Sequence, residues 1–169
     1  MSMSKFGSLL ALLGLCLLAG ESSPANAISP AWRLPISAPA TLMAQFRSPN
    51  SDYSSGHRGV DYLVSEGQAV LAPSGGTVAF TGQVAGKSVV TLQHRDGLKT
   101  AFEPVCGSLP LGSSVVVGQI IGSVCATGYT SHCAPAICLH FSLRSNGNYL
   151  SPLVLIGGLA PSVLVPIGH

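Results

Sequence analysis

Two short segments hold the side chains best suited to chemistry. In Gly56-His57-Arg58-Gly59-Val60-Asp61 an imidazole and a carboxylate stand four residues apart, at the start of a β-like run. Zinc takes imidazole nitrogen and carboxylate oxygen, and its catalytic sites typically have three protein ligands and one open position. The second segment is Cys138-Leu139-His140-Phe141-Ser142-Leu143-Arg144. On a strand, residues 138 and 140 point to one face and Leu139 to the other, so His140 is placed to supply a third ligand. Taken singly, each segment has an ordinary structural reading. A His near an Asp is commonly a hydrogen-bonded pair, and a buried strand His is commonly satisfied by a backbone carbonyl.

The elements that must position these residues are short. From His57 onward, β-branched runs alternate with Gly, Pro, Ser or Asn, and no long helical period appears. The spacing predicts strands at 59–63, 68–72, 76–81, 88–94, 98–102, 114–117, 119–124 and 137–144. This is an all-β, mainly antiparallel sandwich or barrel-like domain. Arg95-Asp96-Gly97 is hairpin chemistry, which pairs 88–94 with 98–102 antiparallel. The Gly-containing stretches 75–78 and 117–122 do not lead into helices, so they read as β turns rather than phosphate loops. Asn146-Gly147-Asn148 is a further turn, followed by a docking segment from Tyr149 to Leu153.

A chain of 169 residues with 47% apolar residues is sized for one domain with its own core. Eight Lys and Arg against six Asp and Glu give a net charge of +2, which excludes nucleic-acid binding through a broad basic patch. Mean hydropathy is +0.48, but much of it comes from residues 9–19, a run too short to span a bilayer. Lys5, this apolar run and Ala25-Asn26-Ala27 have the order of a secretory signal, with cleavage expected after Ala27. The rivals are a lipid anchor at Cys16, disfavoured by Leu15 before it, and an uncleaved anchor. The organisation expected is thus a signal peptide over 1–27, a Pro- and Ser-rich lead-in over 28–55, a domain over 56–155 and an apolar tail over 156–169. Gly157-Gly158, Pro161 and Pro166 interrupt that tail, so no membrane span is expected after signal cleavage. The protein is expected outside the cell, secreted or in the cell wall. Four cysteines remain after cleavage, and outside the cytosol an even count reads as disulfides, of which three connectivities are possible. The short Cys133–Cys138 loop, with Cys106–Cys125 as its complement, is the favoured one.

Together the two segments resemble the lysostaphin and LytM-type peptidoglycan endopeptidases. That family carries H-x-x-x-D first, and later H-x-H inside an L-H-F-E-L-R-like strand. The turns between them are also similar: Val70-Leu71-Ala72-Pro73 before Gly76-Thr77-Val78, then His94 with Gly97, then Val117 to Gly122. The resemblance covers roughly residues 46–154. It implies the duplicated hybrid-motif fold, zinc held by His57, Asp61 and His140, a structural role for His94, and cell-wall cross-link peptides as substrate. Secreted actinobacterial members are especially similar in the segments Thr100 to Val105 and Cys133 to Phe141.

Two departures stand against those matches. Cys138 replaces the first His of H-x-H, and Pro104 stands where the family has the His of Y-x-H-L, so both customary catalytic histidines are missing. General acid or base assistance typically contributes ~10²- to 10⁴-fold, and proline can provide none. Glu103, beside the lost position, and His132, in the loop before the His140 strand, are the candidate replacements. Their plain readings are a solvated strand residue and a loop residue. Cys138 would be inert if bonded to Cys133, but as a thiolate it would close a four-ligand zinc site. Two functions follow from the resemblance. One is a secreted zinc metalloendopeptidase; the other is an inactive module that binds peptidoglycan or regulates another cell-wall hydrolase. A lipoyl- or biotinyl-type carrier is rejected, because neither Lys87 nor Lys99 has the setting of a modified hairpin lysine.

Mass spectrometry of the exported chain should find Ile28 at its N-terminus. A lipid-modified Cys16 in that position would contradict the cleavage reading.

Overall fold

The computed structural model describes residues 32–157 except 52, 96, 127, 129 and 130. The expected signal peptide and nearly all of the expected tail lie outside them. Among the described residues eleven strands and one short helix follow one another: β1 Leu42–Ala44, β2 Val60–Val64, β3 Ala69–Leu71, β4 Gly76–Val84, β5 Lys87–Gln93, β6 Leu98–Glu103, β7 Val105–Gly107, β8 Ser114–Val115, β9 Ile120–Val124, β10 Ile137–Ser145, β11 Asn148–Leu150 and α1 Leu153–Ile156. The large sheet runs β1-β2-β10-β6-β5-β4-β8, with β11 also on β10, and the small one runs β3-β9-β7. Every strand pair is antiparallel, so the all-β expectation holds.

Period-two alternation explains how one strand serves both core and site. On β10, Leu139, Phe141 and Leu143 are buried, while the alternate residues His140, Ser142 and Arg144 face the other side. Phe141 is registered opposite Phe102 of β6, and the two rings stack at 5.2 Å. Val60 and Tyr62 of β2, Val90 and Leu92 of β5, and Val70 and Ile121 of the small sheet complete the core. The predicted hairpin of β5 and β6 forms, registered from Val90↔Phe102 to Gln93↔Lys99.

Three strands were not foreseen. β1 lies in the segment read as a lead-in, and that segment is woven into the fold. Ile36 enters the core, Leu71 N–H donates to Pro35 O at 2.7 Å, and Leu63 N–H donates to Thr41 O at 2.9 Å. Its residues Leu42 and Met43 are exposed, so they carry no alternating pattern to read. β7 begins immediately after Pro104, and Cys106 on it is disulfide-bonded to Cys125 just past β9. β11 returns on β10 through Asn146 and Gly147, both at positive φ, which is a type I′-like hairpin turn.

Gly59 fixes how closely the segment carrying His57 can approach β10. A Cβ built there would lie 2.5 Å from the Phe141 carbonyl oxygen and 2.6 Å from His140 Nε2. A Gly59→Ala substitution should therefore destabilise the fold by about 1–3 kcal/mol, the usual cost of overpacking. Urea denaturation checks this, and unchanged stability would contradict the close approach.

Candidate metal centre

The pairing of β2 with β10 sets Asp61 directly opposite His140. Residues facing each other across an antiparallel ladder project to the same side, so carboxylate and imidazole meet without a loop to align them. His140 Nδ1 lies 2.8 Å from Asp61 Oδ1. His57 is brought to the same place by a backbone bridge to the segment before it: Arg47 N–H donates to His57 O at 2.9 Å, and His57 N–H donates to Arg47 O at 2.8 Å. His57 Nε2 then stands 3.1 Å from Asp61 Oδ2 and 3.2 Å from His140 Nδ1.

The other ring nitrogen of His57 fixes its tautomer. Nδ1 lies 2.7 Å from the carbonyl oxygen of Gln45. A carbonyl only accepts, so Nδ1 carries a proton, and Nε2 is the ring nitrogen turned toward Asp61 and His140. Nε2 and a carboxylate oxygen thus face each other at 3.1 Å. Such an arrangement is favourable only with a cation or a proton between them.

A fourth group joins from the loop before β10. His132 Nε2 lies 2.7 Å from Asp61 Oδ2, and its ring is about half exposed, at 51%. The loop is tied down on both sides of this residue. Ser131 Oγ accepts from Cys133 N–H at 3.0 Å, and Cys133 is disulfide-bonded to Cys138 on β10. Both disulfides follow the favoured pairing of the cysteines. Cys138 Sγ, at 3.9 Å from His132 Nε2, is thereby spent in a disulfide whose other cysteine directly follows His132.

Asp61 has no solvent exposure. Its burial pushes the carboxyl pKa up. Hydrogen bonds from His140 and His132, and the charges of the His140 and His57 rings, outweigh that and hold it below the ordinary carboxylate value. At neutral pH the group is therefore an anion walled in by imidazoles.

His57, Asp61, His132 and His140 each offer a ligand atom, all within 4.8 Å of one another. This set of imidazole nitrogens and carboxylate oxygen fits zinc. A cation held by His57, Asp61 and His140 would replace the proton that His140 now donates to Asp61.

Of the residues singled out from sequence, the structure brings these four together and leaves Glu103 apart. Glu103 is registered opposite His140 on β6, on the same side of the sheet, but its carboxylate accepts from Lys87 Nζ at 2.9 Å. His94 is remote from the cluster and is buried. Its Nδ1 pairs with Gly75 O and its Nε2 with Thr100 Oγ1, each at 2.9 Å, under the Trp32 ring. Sequence reasoning missed Gln45 and Arg47. Both act here through backbone atoms, which leave no trace in residue type.

Residues 55–152 match the family model described as Peptidase family M23. The chain belongs to this family. It is 36% identical, over 149 residues, to an uncharacterized protein of Mycobacterium tuberculosis. That match covers 86% of this chain and 59% of the relative, so the chain spans well under two thirds of that relative's length. Among solved structures, Helicobacter pylori Csd3 is 28% identical with a TM-score of 0.61, covering 82% of this chain and 38% of that one. The catalytic domain of the antimicrobial peptidase lysostaphin from Staphylococcus simulans is 24% identical with a TM-score of 0.57, covering 68% and 90%, and that likeness concerns the fold alone.

Metal competition titrations should find one zinc equivalent per chain. His57→Ala and His140→Ala should each weaken it by more than the ~10- to 100-fold loss typical of an outer-shell partner. Wild-type affinity in either variant would contradict the shared site.

Proposed function

We propose that this M23 chain is an exported zinc metalloendopeptidase that hydrolyses peptide cross-links of bacterial cell-wall peptidoglycan. The observation that carries the reading is the convergence of His57, Asp61 and His140 beside a half-exposed His132. Zinc, when bound, supplies Lewis-acid polarisation of the scissile carbonyl and lowers the pKa of water. The protein's own part is to hold the ion and move protons. His57, Asp61 and His140 are the proposed ligands, and the Gln45 carbonyl keeps the His57 lone pair aimed at the site. His132 is the proposed general base and acid. Its ring is accessible, held by one hydrogen bond to Asp61, and of a residue type that exchanges protons near neutral pH. It would stand in for the imidazole that Cys138 lacks, coming from a different place in the chain. Glu103, across the ladder from His140, is the second group available for proton transfer once substrate competes with Lys87 for its carboxylate. The signal-like segment before Ile28 supports delivery of this activity to the cell wall.

One observation favours the second reading, an inactive module that binds peptidoglycan or regulates another hydrolase. Pro104 follows Glu103 where the family places a catalytic His, and it has no proton to give.

Digestion of purified peptidoglycan by the zinc-loaded chain separates the two. We expect release of cleaved cross-link peptides, and a His132→Ala variant that keeps its zinc equivalent while kcat falls ~10²- to 10⁴-fold. A zinc-loaded wild-type chain that binds peptidoglycan without cutting it would establish the module instead.

A further inference from the structure

A groove of about 530 Å³ leaves the proposed zinc site along the open face of the large sheet. Strand register orders its floor in rungs. The first is His140 with Glu103, and the second is Ser142, Ala101 and Thr91 across β10, β6 and β5. The third pairs Arg144 with Lys99. Small side chains at the second rung let a peptide backbone approach the sheet, and Phe80, registered with Thr91, forms the wall.

Charge is unevenly placed along this path. Arg58, Lys99 and Arg144 line the groove, three of the chain's eight Lys and Arg, whereas among the described residues the only acid lining it is Glu103, already paired with Lys87. The Arg58 and Arg144 guanidiniums both lie over the Tyr149 ring, at 5.9 and 5.4 Å from its centroid. Stacking on one ring holds them in place, and Arg58 is held further by donating to Ser54 O at 3.3 Å. Lys99 and Arg144 also border a second, smaller hollow beyond the hairpin of β10 and β11, so the cationic end stays open.

We propose that this end of the groove is a subsite for a carboxylate of the substrate. It would bind extended peptides that carry that group about four residues from the bond presented at His140. The spacing follows from the strand itself: His140 and Arg144 are four residues apart, or ~13 Å at a strand's rise, a span that about four residues of extended peptide also cover. This inference rests on the reading of the groove as a peptide site. A fork of guanidinium donors and a nearby ammonium recognise a carboxylate and give nothing comparable to a neutral amide.

The test uses the zinc-loaded full chain and an N-acetylated peptide of six Ala and Gly residues ending in a free carboxylate, beside its C-terminal amide twin. Calorimetry should find the acid bound about tenfold more tightly than the amide, in line with a hydrogen bond to a charged group. The preference should vanish for peptides three residues shorter. It should also vanish in a Lys99→Gln/Arg144→Gln variant that retains one zinc and the wild-type melting temperature. Equal binding of acid and amide, or no binding of either, overturns the subsite. So does a preference that persists in the variant, which would place the carboxylate on the metal. Failure of the peptidase reading is a separate result: a carboxylate preference in a chain that cuts no peptidoglycan keeps the subsite and removes the hydrolase. Cleavage with no preference does the reverse.

Discussion

Asp61 is a carboxylate with no solvent exposure, and an ion in that position is tolerated only when its lone pairs are met by donors or cations. The register of β2 against β10 puts it there: Val60 and Phe141, on the neighbouring rung, enter the core, which turns Asp61 and His140 to the other face of the sheet, where imidazoles surround the carboxylate. Three imidazoles meet the carboxylate there. One comes from the facing strand, one from four residues upstream and one from the loop before β10. The hydrophobic core and the site are therefore two faces of one ladder, and a one-residue slip in β10 would exchange them.

Two devices outside the ladder complete the constellation. The segment before His57 acts through backbone atoms: the Arg47 bridge sets where the imidazole stands, and the Gln45 carbonyl sets which nitrogen carries its proton. The Cys133–Cys138 bond fastens the chain to β10, and His132, the residue before Cys133, reaches Asp61 from there. Cys138 on β10 is thus held in a disulfide, with the His132 imidazole beside it.

Much of this was legible in the sequence for a physical reason. Strands buried on one face must alternate, so β2, β5, β6 and β10 could be read with small errors at their ends, and the alternation also put His140 on the face opposite Phe141. β1, β7 and β11 are three residues each and largely exposed, too short to show a period. The position of His132 could not be read either. Its place depends on a loop closed by a disulfide rather than on any repeat, which is why solvated loop residue and catalytic group were both open. For Glu103, adjacency to Pro104 could be read, but not the ion pair with Lys87 that occupies its carboxylate.

Zinc K-edge X-ray absorption on the zinc-loaded chain tests the convergence most directly, because it reads the donor atoms themselves. Nitrogen and oxygen neighbours at ~2.0–2.2 Å, with the outer-shell scattering of imidazole rings, are the predicted result. A sulfur neighbour at ~2.3 Å, or a first shell without imidazole, would contradict it.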